Sequence, residues 1–323
     1  MWNFFTTRKW VLWAYVGTLM VLSALWIKVE IDVAINQWFG EFYNMIQSAL
    51  GTPGSVTLNE YWGGLLSFGK LAAMWIGLGL ATEFFTSHYL FRWRTAMIEK
   101  YHKFYEDARS VEGASQRVQE DTIKFTRIME SLGTDLVESI MVLIQFFPIL
   151  FGLSVGLSVT FFGDWSYGLV SGAVIWAVGG TAFLVLVGYV LRLVGIEYDL
   201  QKKEAAYRKL LVKAEDDGSI SPKSLDDLFQ GVRDIHYKSY LRYLWFNIAR
   251  LSYLQANVLA GYVMLAPTIV AGVISLGVMQ QILRAFGRVE GSLQYLFKSW
   301  PIIIEFVSVY KRLREFEKEA QVA

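Results

Sequence analysis

The stretch GLLSFGKLA, Gly64–Ala72, nearly spells the phosphate-binding loop G-x-x-x-x-G-K-[ST], with Leu71 where the Mg²⁺-binding hydroxyl should stand. Such a loop lies between a strand and a helix, so that backbone N–H groups point at the phosphates. Here the letters fall near the start of an apolar run that reads as helix, and no second nucleotide motif occurs. No ATP site is expected. GLSVG, Gly152–Gly156, matches the nucleophile elbow G-x-S-x-G in letters, but inside an apolar run where a strand–turn–helix elbow cannot form. Glycines that let helices pack are the expected reading. Glu99, His102 and Glu106 share one helical face, and a metal site needs more than that. The chain has no cysteine, which excludes disulfides and thiolate metal sites. No catalytic residue, cofactor site or metal site is expected, and the chain does not read as an enzyme.

The acids carry more information. Glu30, Glu83, Glu138, Glu290 and Glu305 fall within or beside apolar runs, where each charge costs about 2.5–3.5 kcal/mol to insert. At about 100° per residue, Glu197, Glu204 and Glu215 lie within roughly 20° of one another on one helical face, over about 27 Å. Two readings stay open for this stripe. It is a solvated face with Glu204–Arg208 as an ordinary i,i+4 pair, or it is a row of proton-binding groups.

Those residues need elements to hold them. Hydrophobic residues make up 54% of the 323 positions and charged residues 18%, a balance that points to a polytopic membrane protein. The near-zero net charge gives no reason to expect a nucleic-acid partner. A spanning helix needs about 20 mostly apolar residues. Six spans are expected, at about 10–29, 65–91, 136–162, 167–191, 244–278 and 285–310. The sixth carries Arg288, Glu290, Lys298 and Glu305, so its polar side should line a cavity or meet a partner. Arg8-Lys9 precedes the first run without a cleavage pattern after it, which reads as a retained anchor.

Basic residues collect on alternate sides. The segment from Arg92 to Asp135 holds eight Lys/Arg and that from Arg192 to Arg242 holds ten, whereas the segment from Lys28 to Trp62 holds only Lys28. With the basic tail from Lys311 onward, both termini are expected in the cytoplasm. The two basic segments are rich in helix formers, so the second and fourth spans should run on as long helices. A break is expected near Gly113 and another at GSISP (218–222), with Ser224 capping a short helix LDDLFQGV. Pro148, Pro267 and Pro301 fall inside spans and read as tolerated kinks. The fold class is all-α, a single transmembrane domain over residues 1–323.

HYLFRWRTAM (88–97), EGASQRVQEDTIKF (112–125), EAAYRKLLVKAEDD (204–217), WFNIARLSYLQ (245–255) and FGRVEGSLQYLFKSWPIIIEFVSVYKRLREFE (286–317) together resemble the SbmA/BacA family of bacterial inner-membrane peptide transporters. The similarity runs from about Trp10 to Glu317. It implies the transmembrane fold of ABC exporters without an ATPase domain, and a homodimer around a large central cavity. It also implies proton-driven import of varied peptides, antimicrobial ones included. The family's proton-coupling glutamates fall on Glu30, Glu120, Glu130, Glu204 and Glu215. Family members carry a further hydrophobic region before the first matched span.

The expected function is therefore proton-driven peptide import across a bacterial inner membrane by alternating access of a homodimeric cavity, with peptides, protons and membrane lipid as partners. One alternative is the permease half of an ATP-driven ABC transporter whose ATPase is on another chain. A second is a non-transporting envelope protein that affects lipid composition. The segment from Lys28 to Trp62, with Glu30, Asp32, Glu41 and Glu60, and the link with Asp164 should form a negative mouth that favours cationic peptides.

Overall fold

A computed structural model describes residues 1–103, 105, 115, 117–217 and 222–319, and among these the chain is almost wholly helical. The helices are α1 (Asn3–Thr6), α2 (Val11–Gly51), α3 (Leu58–Lys103), α4 (Thr122–Ile128), α5 (Thr134–Ser154), α6 (Gly168–Val190), α7 (Leu193–Asp217), α8 (Pro222–Val270), α9 (Leu276–Lys298) and α10 (Trp300–Glu319). Two π-helical turns, Arg117–Asp121 and Met129–Gly133, flank α4 and join it to α5 in one run. The break expected near Gly113, and most of GSISP, lie outside the described residues.

Among the described residues, four helical runs are long and apolar enough to cross a membrane: Leu58–Lys103, Arg117–Ser154, Gly168–Val190 and Ser224–Val270. They correspond to the second to fifth expected spans. The first expected span lies in α2, which continues as helix to Gly51 instead of ending near Val29. The sixth is divided at Ser299 between α9 and α10, so Pro301 stands at the second position of a new helix, where its missing N–H is not needed. The helix starting at Pro222 is not short, because it runs unbroken for 49 residues. The fourth span does not continue smoothly into α7 either. Arg192 takes φ +50 at the junction, a conformation that closes one helix before the next begins.

The chain divides into two compact units, Met1–Ile175 with Met264–Ala323, and Trp176–Val263. In the first, α2 packs on α3 and α5, and α9 packs on α2 and α5. Thr57 and Glu60 form a reciprocal cap at the start of α3. The Thr57 N–H donates to Glu60 Oε2 at 2.7 Å, and the Glu60 N–H donates to Thr57 Oγ1 at 3.3 Å. The N–H groups that open α9 are satisfied from α2. Leu276 N donates to Gln47 Oε1 at 2.8 Å and Gly277 N to Asn44 Oδ1 at 3.0 Å. Here the helices cross backbone to backbone, and a Cβ on Gly277 would lie 1.9 Å from the Gly40 carbonyl oxygen.

An aromatic core ties α1, α3, α4 and α10 together. Phe4 stacks on Trp93, Trp93 meets Phe125 edge-on, and Tyr101 meets Phe316 edge-on. In the second unit, Tyr253 of α8 crosses α6 over Gly180, where a Cβ would lie 2.0 Å from the ring. Trp176 stacks on Tyr253 and donates through Nε1 to Asn257 Oδ1 at 2.7 Å.

An acid-lined cavity and its basic neighbour

The π turn Met129–Gly133 carries Glu130, and the residues around it repeat at helical spacing. Arg127, Glu130, Ser131, Thr134, Asp135 and Glu138 stand at intervals of three and four, so they share one face. That face lines a cavity of about 780 Å³, completed by Lys28 of α2 and by Trp75 and Glu83 of α3. Single π turns inside α-helices recur at functional sites. Four carboxylates meet two cations here.

The pairing within it is specific. Lys28 Nζ donates to Glu138 Oε2 at 2.8 Å and lies 4.9 Å from the centre of the Trp75 ring. Tyr295 of α9 donates to Asp135 Oδ2 at 3.4 Å. Ser87 of α3 donates to Glu130 Oε1. The arrangement suits binding of protons or of cationic groups.

The five glutamates singled out from the sequence do not form one cluster. Glu130 lines the cavity. Glu30 is exposed on α2 and accepts from Gln145 Nε2 at 2.6 Å. Glu120 is exposed in the first π turn. Glu204 lies in the second unit, on α7, 2.9 Å from His236 Nε2 on α8. Glu215 is on α7, with its side chain outside those described. The stripe reading gains a partner: Tyr243 of α8 donates to Glu197 at 3.4 Å, so Glu197 and Glu204 both meet α8.

Sequence reasoning missed a second charged group. Asp32 is 3% exposed and pairs with Arg284 Nη2 at 2.6 Å and with Arg288 Nε at 2.5 Å. Asp32, expected at a negative mouth, is instead paired with two guanidiniums. The i,i+4 spacing of Arg284 and Arg288 in a largely apolar run was the available signal. Another buried acid, Asp121 in the first π turn, accepts from Arg312 Nε at 3.1 Å and Nη2 at 2.8 Å, with Arg117 Nη1 at 3.4 Å. The hydrogen bonds to Asp121 push the Arg312 guanidinium up from its ordinary value.

The near phosphate loop lies wholly within α3. Gly64 accepts from Trp38 Nε1 at 2.8 Å, and a Cβ there would lie 2.8 Å from the Phe42 ring, so this glycine serves an aromatic contact. Lys70 is exposed. GLSVG closes α5: the helix ends at Ser154 and Gly156 takes φ +79. The expected helix packing is not seen at either glycine: among the described residues nothing lies within 4 Å of a Cβ built on Gly152 or Gly156. Glu99 accepts from Lys9 Nζ at 2.5 Å and from Trp10 Nε1 at 3.0 Å. Glu106 lies outside the described residues, and among the described residues no group of three His, Cys, Asp or Glu is placed to hold a metal ion.

Comparison with known proteins adds the family. The profile of the SbmA/BacA-like family matches residues 7–321. The chain is 24% identical over 327 residues to the inner membrane ABC transporter ATP-binding protein YddA of Escherichia coli K12, covering 93% of this chain and 56% of that protein. It is 25% identical over 334 residues to an uncharacterized ABC transporter ATP-binding protein of Synechocystis sp., covering 96% of this chain and 46% of that protein. The chain thus spans about half the length of these curated relatives. With a family match over nearly its whole length and four helices fit to cross a bilayer, this membrane protein belongs to the SbmA/BacA-like family of membrane transporters.

Proposed function

We propose that this chain is a proton-driven peptide importer of a bacterial inner membrane, acting as a homodimer by alternating access. The observation that carries the reading is the cavity of about 780 Å³ with Glu83, Glu130, Asp135 and Glu138 in its wall. Its volume falls in the range of ligand-binding pockets, and its charge suits protons and cationic peptides. A second copy placed by a two-fold axis would present the same wall to a shared space. Protons bound with substrate from outside would favour one cavity orientation, and their release inside the other. Both termini would then face the cytoplasm. Glu204, with His236 beside it, and Glu120, Glu30 and Glu215 are the further carboxylates assigned to proton coupling.

A second reading has its own support. Both relatives carry names of ABC transporter ATP-binding proteins, and this chain matches about half of each. It would then be the permease half of an ATP-driven transporter. Purified protein in sealed proteoliposomes separates the two. The proton-driven reading expects a labelled cationic peptide to accumulate under an inward proton gradient without nucleotide, and a protonophore to abolish it. Uptake that requires ATP and a co-purifying ATPase would establish the second reading instead.

A further inference from the structure

The ion pairing at Asp32 is unbalanced. Arg284 and Arg288, one turn apart on α9, both reach the same buried carboxylate. Two guanidiniums, 28% and 36% exposed, therefore face one buried carboxylate, which leaves one positive charge free to meet an anion. Arg284 Nε is buried without a hydrogen-bond partner, and the guanidinium lies 5.1 Å from the centre of the Phe39 ring. The two arginines border a cavity of about 320 Å³ walled by Phe39, Phe68 and Trp75, and among the described residues Asp32 is the one acid in its lining. An arginine fork over aromatic walls is a setting that recognises a planar anion, above all a carboxylate.

Trp75, Ile76 and Arg288 connect this pocket to its surroundings. Trp75 lines both the basic pocket and the acid-lined cavity. Arg288 also borders a third cavity shared with Asp135 and Glu138. Those acids are engaged elsewhere, Glu138 by Lys28 and Asp135 by Tyr295, while the ion pair of Arg288 is with Asp32. Trp75 thus stands between the arginine pair and a cavity of four carboxylates, with Lys28 over its ring and paired to Glu138.

We infer that the Arg284–Arg288 pocket holds the C-terminal carboxylate of a peptide substrate, whose cationic groups lie in the acid-lined cavity across Trp75. The inference rests on the peptide-transport reading above. A peptide uses both cavities at once, whereas an anionic lipid headgroup would use the basic one alone.

The test is equilibrium binding to the full chain in phosphatidylcholine nanodiscs, with one cationic peptide made as the free acid and as the C-terminal amide. The free acid should bind about tenfold more tightly, the scale of a charge-assisted hydrogen bond. The triple variant Asp32→Asn, Arg284→Gln, Arg288→Gln leaves no buried charge unpaired. It should bind the acid only as well as the amide, with amide affinity as in the parent. Arg284→Lys with Arg288→Lys should keep part of the preference, because charge remains while the fork is lost. Equal binding of acid and amide by the parent would overturn the inference and leave the transport reading intact. So would a preference that survives the triple variant. Binding of neither peptide would overturn both. Loss of the preference on adding phosphatidylglycerol to the nanodisc would give the pocket to a lipid headgroup and overturn the peptide assignment.

Discussion

Glu204 and His236 face each other across α7 and α8 at 2.9 Å, and seven residues away along each helix Tyr243 meets Glu197. The step of seven, up one helix and down the other, is the repeat of an antiparallel two-helix seam. Glu204 and His236 have side chains 46% and 32% exposed. A pair so open to water contributes under about 1 kcal/mol. His236→Gln and Glu204→Gln should therefore shift unfolding by less than that, measured by thermal melts in nanodiscs. A larger loss would make the pair structural, and transport defects in these variants could not be assigned to titration.

Arg312 and Asp121 behave differently, because the Asp121 side chain is 2% exposed. Arg312→Ala leaves that carboxylate with Arg117 at 3.4 Å as its ionic partner. A loss of about 2 kcal/mol is expected, less than the about 3–5 kcal/mol of a buried charge left with no partner. Removing both groups, as Asp121→Ala with Arg312→Ala, should be milder than Arg312→Ala alone. A double-mutant cycle on unfolding free energies checks this, and strict additivity would contradict it.

Gly277 gives a steric prediction. Its missing Cβ is what lets α9 lie against the Gly40 carbonyl. Gly277→Ala should cost about 1–3 kcal/mol through overpacking. Gly69→Ala on α3, where nothing lies within 4 Å of the added carbon, should be neutral or slightly stabilising. Equal melting temperatures for the two variants would show that the crossing is looser than described.

Of the acids expected at a negative mouth, Asp32 is paired with two arginines, while Glu30, Glu41, Glu60 and Asp164 are exposed. The acid-lined cavity adds Glu83, Glu130, Asp135 and Glu138, set against Lys28 and Arg127. Cationic peptides should enter roughly tenfold faster than neutral analogues at low salt. The difference should shrink as ionic strength rises. Equal initial rates of uptake at low salt would count against it.

The helical character, four of the six expected spans and the helical setting of the near phosphate loop were legible in the sequence, because a long apolar run is a local fact. Helix ends were not. The first span is expected to end near Val29, yet α2 continues to Gly51, with Asn36 buried and Asn44 capping α9. Glu130 could be found as one member of a spaced polar face. Its neighbours Asp135 and Glu138 obey the same spacing and were overlooked as a group. The Asp32–Arg284 pair joins residues 252 apart in the chain, and periodicity within one helix carries no record of such a contact.

Proton-driven transport through carboxylates of this chain is open to a direct test. The direct measurement is peptide-coupled proton uptake in proteoliposomes, read with an internal pH-sensitive dye, for the parent and for Glu120→Gln, Glu130→Gln, Glu204→Gln and Glu215→Gln. Each substitution keeps shape and removes titration. The account predicts that the four variants lose most of the coupled proton uptake while remaining folded, with Glu319→Gln in the tail as the unaffected control. If all four move protons and peptide like the parent, these carboxylates are a solvated surface and the proton-coupling account is contradicted.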